Sequence, residues 1–566
     1  MSEGTERLSG LRWRLRASRA LWRRGATPEA IVARALPAGP RPSEPSEPLA
    51  HLDQPEAGDW VEGDALSVRG WLFFPEAATA RVEVFLGGRS LGLARIGAPR
   101  LDVAEVWEGP RAAAGFELDA DLGDWDGGEG EQELTVVATS VDGERHELEP
   151  VRVKLGTPPR EDEDELPPPA ERTAAPASNR RPHVLVFTHQ LTLGGAQLYL
   201  MDLLRELVRT EAASFTMVTS IDGPLRTEVE AMGIPVHVTS LAAFDDLGYY
   251  TGRIEELAAW TDARGADVAL LNTATAWTVP GAQAAEAVGL PVVWAIHESF
   301  PLSVLLRDFS PELRERAEAA LARASALVFE AEATKRLYEP VAGAERCTML
   351  PYGLDLAPID AHRAEFDGEA ARREAGIPAE AELIACVGTV EPRKAQVMLA
   401  QAFDQIAARH PRAWVAFVGG RDDDNTRALE RYIESSPQGE RMRVIPVTPD
   451  VEAWYGMADL LVCASDIESL PRTVLEAMAW ETPVLGTRVF GLPELITDAE
   501  TGWLCEPRDL PALSAALDRV LSLPAEERRR VGAAGRPLVA ERHSLERYGQ
   551  EIAALLEKAV AAGEAQ

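Results

Sequence analysis

The strongest constraint on the fold of this chain is a repeated alternation of short apolar runs with amphipathic helical segments after residue 182. One series contains "HVLVFTH", "SFTMVTS", "VALLNT", "PVVWAIHE" and "ALVFEA", and a second contains "LIACVGTV", "AWVAFVGG", "MRVIPV", "LLVCAS" and "TPVLGT". Strands of parallel sheets are continuous apolar runs because helices cover both faces. The two series therefore predict two doubly wound, Rossmann-like α/β domains, 182–360 and 361–566, with ligands beyond the carboxyl ends of the strands.

Composition limits the class of protein further. The 566 residues suggest roughly three or four domains. The four cysteines (347, 386, 463 and 505) match no metal-ligand spacing and favour a reducing compartment. No apolar run approaches the ~20 residues of a transmembrane helix, and the amino terminus lacks the apolar core of a signal peptide. We therefore expect a cytoplasmic protein. A net charge of −34 argues against nucleic acid as a partner.

The amino-terminal segment, 1–45, opposes the overall charge. Its first 24 residues hold seven arginines against two glutamates, with leucines near helical spacing. A basic amphipathic helix at residues 7–24 can lie on an anionic membrane surface, which would make the protein peripheral to the inner face of the membrane. A solvated arm that contacts the acidic body is the alternative.

The next region, 50–155, alternates apolar and polar residues in short runs that break at Gly or Asp-Gly. This pattern predicts an antiparallel β-sandwich, and it resembles the immunoglobulin-like modules attached to some bacterial glycosyltransferases. It shows no catalytic constellation, so a spacer or docking module is favoured over sugar binding. The acidic, proline-rich stretch 156–181 predicts a linker.

Two glycines and a histidine follow strands of the first predicted Rossmann-like domain. Gly194 and Gly195 precede a helix, where they would let the backbone approach an anionic ligand. The full G-x-G-x-x-G spacing is absent, which argues against a dehydrogenase. His297 ends the run "PVVWAIHE", and its position at the end of a parallel strand makes it a candidate site residue.

In the second predicted domain, Gly388 ends a strand and Arg393 and Lys394 open a helix. Adjacent cations at a helix amino terminus suit a diphosphate, since arginine can hold two phosphate oxygens and lysine supplies a point charge. The segment "CASDIESLPRTVLEAMAW" places Glu468 after a strand and Glu476 inside a helix. The loop Ser469-Leu470-Pro471 would offer backbone N–H groups to phosphate, and a carboxylate suits paired ribose hydroxyls.

The motif "SDIESLPRTVLEAMAWETPVLGTRVFGLPELITDAETGWL" resembles the signature of retaining glycosyltransferases of the GT-B fold, especially the family-four group. "VGTVEPRKAQ", "LTLGGAQ", "IHES" and "LPYGLDL" match other motifs of that group, and the match covers about residues 182–555. The resemblance implies transfer of a hexose-type sugar from a nucleotide-diphosphate donor, with retention, without cofactor or metal. It also implies a glycan or lipid-linked acceptor, and its members suggest bacterial surface polysaccharide synthesis.

The resemblance also implies roles for the site residues. Arg393 and Lys394 would hold the diphosphate and stabilise its charge as it leaves. Glu468 would face the donor sugar, Glu476 the ribose, and the backbone of Ser469–Pro471 the sugar or phosphate. His297 would lie near the reacting carbon and the acceptor. Gly194 and Gly195 would let the first-domain loop close over the phosphates, and Gly388 would be part of the donor-binding site.

Three positions depart from the family pattern: Thr389 stands in place of an arginine, and Ala395 and Glu481 in place of glycines. These departures leave the donor identity open. A nucleotide-sugar epimerase and a phosphorylase on the same fold are disfavoured by the motifs. A catalytically silent sugar-nucleotide-binding or scaffold protein is the alternative function. The acids in "RDDDNTR" predict a solvated loop rather than a metal site.

Overall fold

The computed structural model describes residues 48–155 and 181–564, except for short internal stretches at 56, 62–64, 76, 101–102, 104–112, 124, 126–127, 129, 240–246, 276–277 and 308. The expected basic segment, 1–45, and the expected linker, apart from residue 181, lie outside the described residues. None of the described helices is long and apolar enough to cross a membrane.

The first region is all-β and is called the β domain below. Its strands pair antiparallel, except that β2 pairs parallel with β9, in the order β1-β3-β6-β5-β4-β7-β9-β2, with β8 beside β7. Alternate residues of β4, such as Val82, Val84 and Leu86, are buried, as the apolar–polar alternation predicts. The resemblance to an immunoglobulin-like sandwich stays a prediction. The strands are β1 (Leu49–Gln54), β2 (Trp60–Val61), β3 (Ala65–Phe73), β4 (Thr79–Leu86), β5 (Arg89–Ala98), β6 (Gly115–Asp121), β7 (Gly130–Ser140), β8 (Arg145–Glu147) and β9 (Val151–Leu155).

The second region contains a seven-stranded parallel sheet in the order β12-β11-β10-β13-β14-β15-β16. Its central strands β13 and β14 are buried along their whole length, which explains their unbroken apolar sequences. The strands are β10 (His183–Gln190), β11 (Ser214–Ile221), β12 (Val236–Val238), β13 (Val268–Asn272), β14 (Val292–Ile296), β15 (Ala326–Phe329) and β16 (Cys347–Met349). The helices are Gly195–Arg209, Arg226–Ala231, Leu247–Asp262, Val279–Ala287, Leu302–Leu305, Pro311–Arg323 and Glu332–Ala342.

The third region contains a six-stranded parallel sheet in the order β19-β18-β17-β20-β21-β22. The strands are β17 (Glu382–Val387), β18 (Ala413–Gly420), β19 (Met442–Pro446), β20 (Leu460–Cys463), β21 (Val484–Thr487) and β22 (Trp503–Cys505). The helices are Leu356–Glu365, Gly368–Glu374, Gln396–Ile406, Asp424–Ser435, Glu452–Met457, Arg472–Ala479, Leu492–Leu495, Leu510–Ser522, Ala525–Arg542 and Leu545–Glu564, with 3₁₀ turns at Pro392–Lys394 and Gly439–Arg441. The predicted fold class, with two Rossmann-like units, is confirmed.

The last helix, Leu545–Glu564, returns to the second region. Tyr548 packs edge-on against Tyr199, with ring centroids 5.4 Å apart. A Cβ added at Gly549 would lie 2.6 Å from the side chain of Glu206, so the helix approaches the helix Gly195–Arg209 closely. The chain therefore crosses between the two Rossmann-like units twice.

Both parallel sheets have a topological switch point, where strand order reverses and a crevice opens at the carboxyl edge. In the first sheet it lies between β10 and β13, and in the second between β17 and β20. The predicted site residues follow these strands or β14, the strand beside β13, so the fold brings them to the crevices.

Candidate active site

The turn after β17 presents two cations. Gly388 has a φ of 139°, a conformation that favours glycine, and a Cβ there would lie 3.1 Å from the Nζ of Lys394. The 3₁₀ turn Pro392–Lys394 follows, and Ala395, with a φ of 52°, connects it to the helix Gln396–Ile406. Because Gly388 has no side chain, Lys394 has room beside the helix amino terminus.

Glu468 lies between these cations. Its Oε1 accepts hydrogen bonds from Lys394 Nζ and Ser465 Oγ, both at 2.9 Å, and lies 3.6 Å from Arg393 Nη1. Arg393 also pairs with Glu391 at 2.7 Å. Burial raises the pKa of Glu468, but Lys394 and Arg393 outweigh it and hold the pKa below its ordinary value. The site therefore joins an ionised carboxylate, only 10% exposed, to two cations at the switch point of the second sheet.

The loop that follows Glu468 contacts the other Rossmann-like unit. Ser469 Oγ lies 3.1 Å from Thr334 Oγ1, which belongs to the helix Glu332–Ala342 of that unit. Leu470 and Pro471 are buried, and Pro471 precedes the first residue of the helix Arg472–Ala479. The hydroxyl of Ser469 is thus part of the interface between the two units.

Glu476 is buried and both of its carboxylate oxygens have protein partners. Arg472 Nε donates to one at 2.6 Å, and the hydroxyl of Tyr455 donates to the other at 2.7 Å. Arg472 also contacts Asp202 and the hydroxyl of Tyr352. Asp202 lies on the helix Gly195–Arg209 of the first sheet, so this buried network links the two units. A ribose at Glu476 would have to share the carboxylate with Arg472.

Gly194 and Gly195 lie where the helix Gly195–Arg209 begins, after β10. Gly194 has extended backbone, and a Cβ there would lie 2.4 Å from Gln197 Oε1, so a larger residue would displace that glutamine. The adjacent carbonyl of Leu193 accepts a hydrogen bond from Arg421 of the other unit at 2.7 Å. The glycine loop therefore faces the cleft between the units.

His297 follows β14, but protein groups surround its ring. Nδ1 lies 2.7 Å from Glu330 Oε1, and Nε2 lies 2.9 Å from Asn272 Oδ1. The amide nitrogen of Asn272 donates to the carbonyl of Ala196, so its oxygen faces the histidine. Both ring nitrogens therefore face oxygen acceptors, an arrangement that favours the doubly protonated ring. Burial lowers the pKa of His297, but the Glu330 carboxylate outweighs burial and raises it. The ring packs edge-on against Tyr199.

Two further titratable groups lie beside His297. Burial and the charge of His297 lower the pKa of His189 to about 4, so His189 is neutral near pH 7. Glu298 accepts from the backbone N–H groups of Ala274, at 2.7 Å, and His297, at 3.2 Å, and burial raises its pKa. The carboxyl edge of the first sheet is thus a compact polar cluster.

Four of these residues were not predicted from the sequence: Asn272, Glu330, Arg472 and Asp202. Asn272 ends β13 and Glu330 directly follows β15, and these strands flank β14. Both residues are therefore recognisable from the rule that ligands lie at the carboxyl ends of parallel strands. Arg472 and Asp202 carried no sequence signal, because their contact joins residues 270 positions apart.

The acids of "RDDDNTR" have structural partners. Asp423 accepts from Thr426 N at 2.8 Å and caps the helix Asp424–Ser435. Asp422 and Asp424 both pair with Arg427, at 2.6 and 2.7 Å. They form a helix cap and surface ion pairs.

Two Rossmann-like units that face a cleft, with cations at the switch point of the second, define a protein of the GT-B class. The family model "Glycosyl transferases group 1" matches residues 367–537, and "Glycosyltransferase Family 4" matches residues 193–358, together more than half of the chain. The chain belongs to the GT-B glycosyltransferases that these two domains form.

Curated relatives and solved structures agree with this family. A D-inositol 3-phosphate glycosyltransferase of Frankia alni is 28% identical over 381 residues, covering 61% of this chain and 90% of the relative. The lipopolysaccharide core mannosyltransferase LpcC of Rhizobium leguminosarum is 30% identical over 182 residues, covering 31% and 50%. The crystal structure of HepE from Anabaena, in complex with UDP and glucose, has a TM-score of 0.57 at 21% identity and covers 67% of this chain and 100% of that one.

Proposed function

We propose that this glycosyltransferase moves a hexose-type sugar from a nucleotide-diphosphate donor to a glycan or lipid-linked acceptor, with retention of the anomeric configuration. The observation that carries the proposal is the convergence of Lys394 and Arg393 on the Glu468 carboxylate at the switch point of the second sheet. Two fixed cations beside a helix amino terminus can stabilise the charge that develops on a leaving diphosphate.

The contacts within the site suggest how the donor enters. Lys394 and Arg393 hold Glu468 in this structure, so a diphosphate would share or replace those contacts and leave Glu468 free to accept from sugar hydroxyls. The backbone of Ser469–Pro471 precedes a helix and suits sugar or phosphate. Glu476 is proposed to bind the ribose in competition with Arg472.

His297 is proposed to act through its positive charge rather than as a base. A doubly protonated ring with partners on both nitrogens cannot accept a proton from the acceptor hydroxyl. It can stabilise, through the field of the imidazolium, the negative charge that develops on the leaving phosphate.

The relatives guide the choice of substrates. The Frankia alni relative is named for an inositol phosphate acceptor, and the Rhizobium leguminosarum relative for lipopolysaccharide core synthesis. HepE was crystallised with UDP and glucose. These names support a polyhydroxylated acceptor and a role in bacterial surface polysaccharide synthesis, and they make UDP the first nucleotide to test.

Calorimetric titration with UDP, GDP and ADP and their sugar conjugates, without added metal, tests the proposal. The wild type is compared with an Arg393→Ala/Lys394→Ala double variant. Arg529→Ala/Arg530→Ala is the matched control, because it removes two adjacent exposed cations from the same unit. We expect one nucleotide family to bind the wild type and the control but not the site variant.

Absence of binding at millimolar concentration, in a folded sample that also transfers no sugar, would contradict the proposal. It would favour the alternative function, a catalytically silent GT-B scaffold.

A further inference from the structure

The β domain contacts both Rossmann-like units beside the cleft. Its strand β5 packs against the turn Pro392–Lys394 that carries the two cations. A Cβ added at Gly97, where φ is 92°, would lie 3.0 Å from the Cβ of Val397, so this strand lies directly on the helix that follows the turn. On the other side of the cleft, Ser303 donates to Asp121 at 3.2 Å. The β domain therefore packs against both units and is not a detached spacer.

A network of buried charges runs through this contact. Arg95 on β5 is only 7% exposed and lies 3.4 Å from the carboxylate of Asp119 on β6. Asp119 also pairs with Arg69 of the β domain at 3.1 Å and with Arg307 of the first Rossmann-like unit at 2.9 Å. Buried ions need such partners, because removal of one leaves an uncompensated charge. Asp119 thus joins the β domain to the first unit through an ion pair in which the carboxylate is 6% exposed and the guanidinium 32% exposed.

Arg508, which follows β22, connects this network to the loop that carries Asp466 and Glu468. Its Nη1 donates to the carbonyl of Leu93 on β5 at 2.7 Å, and its Nε lies 3.7 Å from the carboxylate of Asp466. Arg508 has a φ of 57°, a left-handed conformation that is strained for a side chain of this size. Contacts on both sides hold it there.

Asp466 connects Arg508 to the site residues Glu468 and Arg393. It precedes Glu468 by two residues, and its backbone N–H donates to the carbonyl of Arg393 at 2.7 Å. Its side chain is buried, and within the described residues its Oδ1 has no hydrogen-bond partner, so Arg508 is the cation that faces it most closely. A shift of Arg508 would therefore move the loop that positions both Glu468 and Arg393.

We propose that the β domain is a working part of the glycosyltransferase, in which Arg508 fixes the loop of Asp466 and Glu468 and Asp119 holds the first Rossmann-like unit through Arg307. These are positioning residues, since none of them is placed against the donor. The proposal depends on the family activity and not on which donor or acceptor the enzyme uses.

Hydrogen exchange followed by mass spectrometry tests the proposal on the full chain without any substrate. The measured quantity is the exchange rate of residues 460–471 divided by that of β13, a fully buried strand of the first Rossmann-like unit. We expect Arg508→Gln to raise this ratio about tenfold, as loss of a hydrogen bond from a charged donor predicts. Arg508→Lys, which keeps the charge, should restore part of the protection.

Two further variants complete the test. Asp119→Asn should raise the exchange of residues 301–307 relative to β13, because Arg307 loses the carboxylate of Asp119. Arg152→Gln is the control: it removes an arginine of the β domain that is 71% exposed and pairs only loosely, at 3.8 Å, with Glu131. Ratios that stay at the wild-type value in both Arg508→Gln and Asp119→Asn would overturn the proposal. Failure of nucleotide binding in the wild type would leave these ratios unaffected, so the two proposals fail separately.

Discussion

Replacement of Glu468 with glutamine separates two roles of this carboxylate, as a partner of the cations and as a ligand of the sugar. The low pKa of Glu468 means that the side chain is ionised near pH 7. It accepts from Lys394 Nζ at 2.9 Å, in the position where we propose that a diphosphate binds. The carboxylate holds the lysine when no ligand is bound, and an incoming phosphate therefore has to compete with it.

The size of the effect follows from that hydrogen bond. The amide oxygen of glutamine can still accept a charge-assisted hydrogen bond from Lys394, because the lysine stays charged. The substitution removes only the carboxylate charge, so the competition weakens by on the order of 1 kcal/mol. This corresponds to roughly fivefold tighter binding of the nucleotide diphosphate alone. Sugar transfer should fall sharply in the same variant, because the amide is a weaker acceptor for sugar hydroxyls.

Calorimetry with the nucleotide that binds the wild type measures the first effect, and release of nucleotide from the sugar donor measures the second. Glu500→Gln is the control, since it changes the net charge equally at an exposed turn. Nucleotide affinity that is unchanged or weaker in Glu468→Gln would refute the competition, whatever happens to transfer.

Three further predictions concern stability. Asp202→Asn removes the carboxylate that Arg472 reaches across the domain interface, and it should lower the free energy of unfolding in urea by about 2 kcal/mol. Burial raises the pKa of Asp466 to about 7, so its contribution to stability is complete below its ordinary pKa of 3.8 and is lost as the pH rises towards 7. Asp466→Asn should therefore melt higher relative to wild type at pH 8 than at pH 4, and equal differences at both would contradict this. The raised pKa of His297 means that its pairing with Glu330 stabilises the protein fully below pH 6.5 and less as the pH rises through the folded pKa. His297→Gln should thus destabilise more at pH 6 than at pH 10 in thermal melts.

The sequence predicted the two parallel sheets because their strands carry a local signal. A run such as "VALLN" is buried at every residue, and the helices around it have an apolar face, so each element is recognisable on its own. The same reasoning located Arg393, Lys394 and Glu468, since residues that follow adjacent parallel strands meet at one edge. The distances from Glu468 Oε1 to Lys394 Nζ and to Arg393 Nη1, 2.9 and 3.6 Å, could be obtained only from the structure.

Contacts between segments that are distant in the chain could not be predicted from the sequence. The β domain has a clear alternation but no catalytic constellation, so the sequence favours a spacer or docking module over sugar binding. The contacts of this domain with both units agree with a docking module, and the sequence did not predict them because Asp119 and Arg307 carry no common pattern. Two of the three departures from the family pattern, Ala395 and Glu481, show another limit. Both have left-handed backbone, with φ of 52° and 62°, so the chain adopts a conformation suited to glycine without glycine at these positions.

The links between the two Rossmann-like units differ in strength, and the difference suggests how the cleft opens. Glu494 accepts from the backbone N–H groups of Glu332 and Ala333, both at 2.9 Å, at an exposed helix amino terminus. Exposed contacts of this kind contribute at most about 1 kcal/mol each, because water replaces them readily. The contact of Arg472 with Asp202 is less accessible to water, because the two side chains are only 21% and 14% exposed. Opening that pivots about this contact while the Glu494 edge separates would therefore require less free energy than the reverse motion.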